Sequence, residues 1–305
     1  MFERIPEILG GAAKVAIFAM MFASLDAYAV PSFERQTGMH CAACHTVFPE
    51  LTPLGRQFKL GGYTLSRTDK DTPFLPLAAA LLPSATRTGS TGGAEPDMFP
   101  RDRELVLQQA GVYYAGKIAG KSGAFINWTY DGIRHHGNLE MTDIRLADSS
   151  AADGRTLVYG LTLHNAPTVQ DVWNSTPRFG FPYVSSTVAQ VPAARALVDG
   201  SLNSQVGGLG AYALWNEILY AELSLYRTAN SGILEVLGTG TEITKVVQGT
   251  APYWRLVLQK AWGSHSLSAG TYGLAADIFP DSANPGGPTD RFRDAALDGQ
   301  YQYIE

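Results

Sequence analysis

Cys41, Cys44 and His45 are the residues of this chain whose types and spacing could do chemistry together. They stand in "GMHCAACHTVFPELTPLGRQF", and no other cysteine occurs among the 305 residues. Two thiols three positions apart could form a disulfide, a redox dithiol, half a zinc site or an attachment point for a prosthetic group. A disulfide there closes a very small loop and stabilises little. A redox C-x-x-C belongs at the end of a strand in a βαβ unit, and no such pattern surrounds it. A zinc site needs a second ligand pair, and the chain has no further cysteine to supply one. The pattern C-x-x-C-H is the c-type haem attachment signature. It implies one covalent haem c, held through thioethers at Cys41 and Cys44, with His45 as the proximal iron ligand.

The second axial ligand is open. Met39 and His40 lie too close to Cys41 to reach the far side of the iron, and His135, His136, His164 and His265 fall in strand-like segments. Met98, in "AEPDMFPRDR", is the expected ligand, one that would raise the haem potential. No Gly-rich phosphate loop, no Ser/His/Asp constellation and no second metal cluster stands out in the sequence.

The compartment follows from the first residues. Arg4 and Lys14 precede the apolar run "VAIFAMMFASL", which ends in Ala27-Tyr28-Ala29. This reads as a signal peptide over 1–29, cleaved after Ala29, with an uncleaved anchor as the alternative, since Glu3 and Glu7 lie within it. A net charge of −5 with 17% charged residues gives no basic surface for nucleic acid.

The elements that must position the haem motif fall into two parts. Residues 30–75 form a small cytochrome c domain, with one short helix carrying Leu51, Leu54 and Phe58 and ending at Gly61-Gly62. Some 40 residues is close to the least that folds alone, so the segment should lean on something larger. Residues 76–104 read as a linker, and the apolar run "PLAAALLP" within it is too short to cross a membrane as a helix. Residues 105–305 alternate. In "GAFINWTYDG", Ile126, Trp128 and Tyr130 oppose Phe125, Asn127, Thr129 and Asp131. The same pattern puts Leu161, Leu223 and Leu256 on one face, with Asp143, Arg145 and Glu222 on the other.

About nine strands are expected, at 105–118, 124–132, 139–148, 156–164, 204–216, 218–228, 251–263, 265–277 and 294–305. "NAPTVQDVWNSTPRFGFPYVSSTVAQVPAARALVDG" reads as a long external loop between two of them. Strands of about ten residues, apolar on one face and polar on the other, form a transmembrane antiparallel β-barrel. A soluble β-sandwich is the alternative. The fold class is thus mainly β, and the stop within an apparent strand, "LDGQYQYIE", suggests a barrel truncated at its C-terminus. Ile126, Trp128, Leu161, Leu223 and Leu256 should face lipid. Asp131, Asp143 and Glu222 should be solvated lumen charges, although they could attract a divalent cation.

The haem segment "PSFERQTGMHCAACHTVFPELTPLGRQFKLGGYTL", with "YGLTLHNAPTVQDVWNSTPRFGFPY" and "GLGAYALWNEILYAELSLYR", resembles the fused outer-membrane cytochrome–porins, the iron-oxidising outer-membrane cytochromes among them. The resemblance implies an outer-membrane location in a Gram-negative bacterium. It also implies electron transfer from extracellular Fe(II), or another external donor, to a periplasmic carrier. A passive porin with a haem-bearing plug, and a soluble periplasmic electron carrier, are the competing expectations.

Overall fold

The structure is a computed structural model and describes residues 30–67, 74–87, 104–177, 196–229, 232 and 243–304. The signal segment 1–29 and Met98 lie outside the described residues. The chain is mainly β: one large antiparallel sheet carries a small N-terminal segment on one of its faces.

That segment holds three short helices, α1 (Pro31–Thr37), α2 (Cys41–Cys44) and α3 (Pro53–Leu60), and two short paired strands, β1 (His45–Val47) and β2 (Glu50–Leu51). Pro31 opens α1, where its missing N–H costs nothing, and Gly38 closes it at φ 71°, a left-handed turn that glycine enters without a steric penalty. Thr52 caps α3 by accepting from Gly55 N at 3.1 Å. Gly55 is also where α3 backs onto α2: a Cβ there would stand 2.4 Å from the Cys44 carbonyl oxygen. The short helix expected before Gly61-Gly62 is therefore α3. Leu54 is only half-buried, whereas Arg56 and Lys59 on the same helix are buried.

The sheet is a meander in which each long strand pairs with the next: β3 (Leu77–Ala85), β4 (Leu105–Ala119), β5 (Ser122–Asp131), β6 (His136–Ala152), β7 (Arg155–His164), β8 (Val206–Trp215), β9 (Leu219–Thr228), β11 (Ala251–Trp262), β12 (His265–Phe279) and β13 (Asp290–Tyr303). A two-residue strand, β10 (Val246–Val247), adds to β12. All nine expected strands are present. Among the described residues no pairing joins β3 to β13, so the sheet is not closed.

Two expectations need correction. The stretch read as linker, 76–104, contains β3, which pairs with β4 throughout its length. Three consecutive alanines hide its alternation, and Pro83, which cannot donate a ladder hydrogen bond, is tolerated because β3 is an outer strand with an irregularity at Leu82/Pro83. The expected external loop after β7 turns inward instead. Ala166, Thr168, Val169, Gln170, Asp171, Val172 and Trp173 are all buried to within 1%. Asp171 substitutes for a strand partner by accepting from the backbone N–H of Trp173, Ser175 and Thr176 at 3.1, 3.0 and 3.3 Å. Residues 178–195 of that connection lie outside the described residues.

The two faces of the sheet differ in residue type. Outward stand Trp128, Leu161, Leu209, Leu223, Leu256 and Leu258, all exposed, while Ile126 on the same face is half-buried. The covered face carries Asn127, Thr129, Asp143, Arg145, Glu222 and Arg255, all buried. The expected division of faces is therefore present. The expectation of solvated charges at Asp143 and Glu222 is not met, because the N-terminal segment and residues 165–177 cover them. Asp131 lies at the end of β5, where it accepts from Ile133 N and Arg134 N as a turn residue.

What fastens the segment is a polar network. Asp143 receives Arg145 Nε at 2.9 Å, Tyr63 Oη at 2.6 Å and Thr162 Oγ1 at 2.8 Å, and lies 3.9 Å from Lys59 Nζ. Arg56 donates to Ser266 Oγ at 2.7 Å and to Gln302 at 3.1 Å. Arg255 lies buried between Asp171 at 3.3 Å and Asp298 at 2.6 Å. Around these charges, Leu60, Val172, Trp173, Tyr212, Leu214, Tyr220 and Val257 form an apolar cluster. Charges this deep remain ionised only when paired and hydrogen-bonded. Burial pushes Lys59 down to about 7, with Asp143 acting in the opposite direction.

Candidate functional site

α2 is a single helical turn, and it carries Cys41 and Cys44 at i and i+3, on one side of that turn. The backbone then straightens at His45, φ −129°, into β1. Thr52 pins this turn from below, donating to the Ala43 carbonyl at 2.8 Å and, through its backbone N–H, to the Cys44 carbonyl at 2.9 Å. Both cysteines are free thiols. Burial raises the Cys41 thiol, with Glu34 adding to the effect, and burial also raises Cys44, with Cys41 next. A redox-active C-x-x-C relies on the opposite, a lowered thiol pKa.

Cys41, Cys44 and His45 line one cavity of about 320 Å³, within the roughly 300–1,000 Å³ of small-molecule and cofactor sites. It lies between the segment and the covered face of the sheet. An aromatic cluster closes one side: Phe33 stands edge-on to Phe58 at 5.0 Å, stacks on Tyr63 at 5.5 Å and faces Phe125 of β5 at 6.3 Å.

These residues fit a c haem on three observations. Both thiols are unpaired and border the same space. His45 is held neutral, down to about 4, because burial outweighs the pull of the Glu50 and Pro49 backbone. Its Nδ1 is buried without a hydrogen-bond partner. A neutral imidazole has the free lone pair that iron ligation requires.

His135, His136, His164 and His265 do not border this cavity. Met98 lies outside the described residues. His135 and His136 are exposed at the β5–β6 turn. His265 packs on Trp262 and Tyr301 at the ends of β12 and β13. His164 is buried against Tyr226, with ring centroids 5.0 Å apart, and does not border the cavity. The sheet contributes Gln109, Tyr113, Asn127, Glu140 and Met141, none of which the sequence singled out as a ligand. No group of three or more His, Cys, Asp or Glu among the described residues could hold a separate metal ion, and no described helix is long and apolar enough to cross a membrane. Comparison of the chain with family models, with curated proteins and with solved structures finds no match to any of them.

Proposed function

We propose that this chain is an outer-membrane c-type cytochrome fused to a porin-like barrel. It would take electrons from an external donor, Fe(II) foremost, and pass them to a periplasmic carrier. The observation that carries this reading is the placement of Cys41, Cys44 and His45 in one cavity, on the covered face of a sheet whose other face is leucine and tryptophan. A contiguous apolar exterior on a meander of ten-residue-scale strands suits lipid rather than water.

A c haem bound there supplies one-electron chemistry at its iron. The chain's own part is to hold and shield it. Cys41 and Cys44 anchor it from one helical turn, and His45 offers its lone pair. Phe33, Phe58, Tyr63 and Phe125 keep water from the cavity, and the Asp143 network fixes the whole segment to the strands. No proton is moved and no bond to substrate is made.

The test is rapid mixing of Fe(II) with oxidised outer-membrane preparations, without mediators, while the reduced-haem absorption bands are followed. Reduction by Fe(II) is the expected result. Haem that stays oxidised under Fe(II), yet is reduced by a small artificial reductant, would leave a passive porin with a haem-bearing plug. The fastening of Arg56 and Tyr63 to the sheet, and of Lys59 to the inward turn at 165–177, is the observation that favours that reading.

A soluble carrier is separated by Leu223→Arg. Leu223 is 56% exposed in the middle of β9. At the centre of a bilayer the change should cost about 2–4 kcal/mol. In water, an exposed leucine is replaceable within about 0.5 kcal/mol. Unfolding of the lipid-reconstituted protein in urea reads the difference.

A further inference from the structure

We propose that the thioether sulfur of Met141 is the second axial ligand of the iron in this cavity. The inference rests on the haem reading above.

The cavity has two walls. The segment supplies one, with Cys41, Cys44 and His45, and strands β4, β5 and β6 supply the other. A ligand opposing His45 is therefore sought on the sheet wall. There Met141 is the one side chain with a soft sulfur donor; Gln109, Tyr113, Asn127 and Glu140 offer oxygen or amide groups. Glu140 is already engaged, with Oε2 accepting from Thr129 Oγ1 at 2.6 Å, Gln109 Nε2 at 3.0 Å and Asn127 Nδ2 at 3.2 Å.

The segment wall offers no better donor. Lys59 Nζ is committed to three oxygens, the Val169 carbonyl at 3.2 Å, the Asp171 carbonyl at 2.6 Å and Asn174 Oδ1 at 2.9 Å. The His40 side chain is 90% exposed and pairs with Glu34 at 3.2 Å. Met39 is two residues from Cys41, on the same stretch of backbone as the attachment thiols.

The backbone of β6 is shaped at this point. Asn127 pairs with Met141, but the next residue, Trp128, pairs with Leu139, so Glu140 is an extra residue in β6. In a regular strand, Glu140 and Met141 would point to opposite faces. The bulge lets both border the cavity, a use of bulges seen next to functional sites. Met141 is 9% exposed and packs with Ala166, Val169 and Phe125. That packing alone would be met by leucine, so leucine separates a packing role from ligation.

The experiment uses the full-length holoprotein in detergent. The wild type should give a low-spin ferric spectrum with the weak long-wavelength sulfur-to-iron charge-transfer band, and its reduced form should not bind carbon monoxide. Met141→Leu should keep its covalent haem and its resistance to urea. It should lose the band, become high-spin and bind carbon monoxide when reduced. Met141→His should restore the low-spin state at a lower midpoint potential than wild type, since histidine replaces sulfur. The inference is wrong if Met141→Leu keeps the low-spin spectrum and the band, and doubly so if Met39→Leu or Met98→Leu removes them. A wild-type protein with no covalent haem would sink the haem reading together with this inference. Covalent haem with an unchanged Met141→Leu spectrum would sink this inference alone.

Discussion

Replacing Asp143 with alanine should destabilise the folded protein by about 3–5 kcal/mol, the cost typical of removing one partner from a buried ion pair. Asp143 is 1% exposed and stands where three elements meet: Tyr63 from the N-terminal segment, Arg145 on its own strand and Thr162 from β7. Without it, Arg145 is left with its guanidinium buried over the Tyr212 ring, 5.0 Å from the centroid, and without its carboxylate partner. Lys59 loses its buried counter-charge as well. Urea unfolding followed by tryptophan fluorescence measures the loss, because buried Trp173 reports on the same cluster. The control is Asp148→Ala, which removes the exposed Lys121–Asp148 contact of the neighbouring hairpin and should leave the midpoint where it was. Equal effects at the two positions would mean that the buried network does not fasten the segment.

The second large effect is qualitative. The Cys41→Ala, Cys44→Ala double variant should carry no covalent haem at all, and each single variant should keep one thioether. The readout is haem staining after denaturing electrophoresis, together with extraction by acidic organic solvent. Haem that leaves the wild type on extraction, or that persists covalently in the double variant, ends the attachment reading. A variant that still folds is informative either way. Neither thiol contributes a hydrogen bond to the fold beyond the 3.8 Å contact of Cys41 with Glu34, so the loss would be one of attachment rather than structure.

How much of this was legible in the sequence differs by element. Strands such as β9 and β11 could be read because residue type alternates with face: Leu223 and Leu225 against Glu222 and Ser224, Trp254 and Leu256 against Arg255. β3 could not, since alanine at 78, 79 and 80 carries no contrast between faces. The inward turn at 165–177 was obscured for another reason. Its polar residues resemble a solvated loop, and only the folded chain brings Asp171 to its own backbone donors and to Arg255. At the cavity, Cys41, Cys44 and His45 could be singled out from the spacing C-x-x-C-H, because the three lie within five positions of one another. Met141 and Glu140 were not, because a bulge is a property of strand pairing and leaves no mark in a single strand's sequence.

Arg56 meets Gln302 across 246 positions of chain, and Gln302 also reaches back to Thr46. Contacts between positions this far apart are slow to form, and these cannot form before β13 exists. Cys41 and Cys44, meanwhile, end up half-buried in the wall that this late docking closes. If these thiols take the proposed haem, an attaching enzyme would meet less hindrance on the undocked segment than on the docked one, where both thiols are half-buried against the sheet.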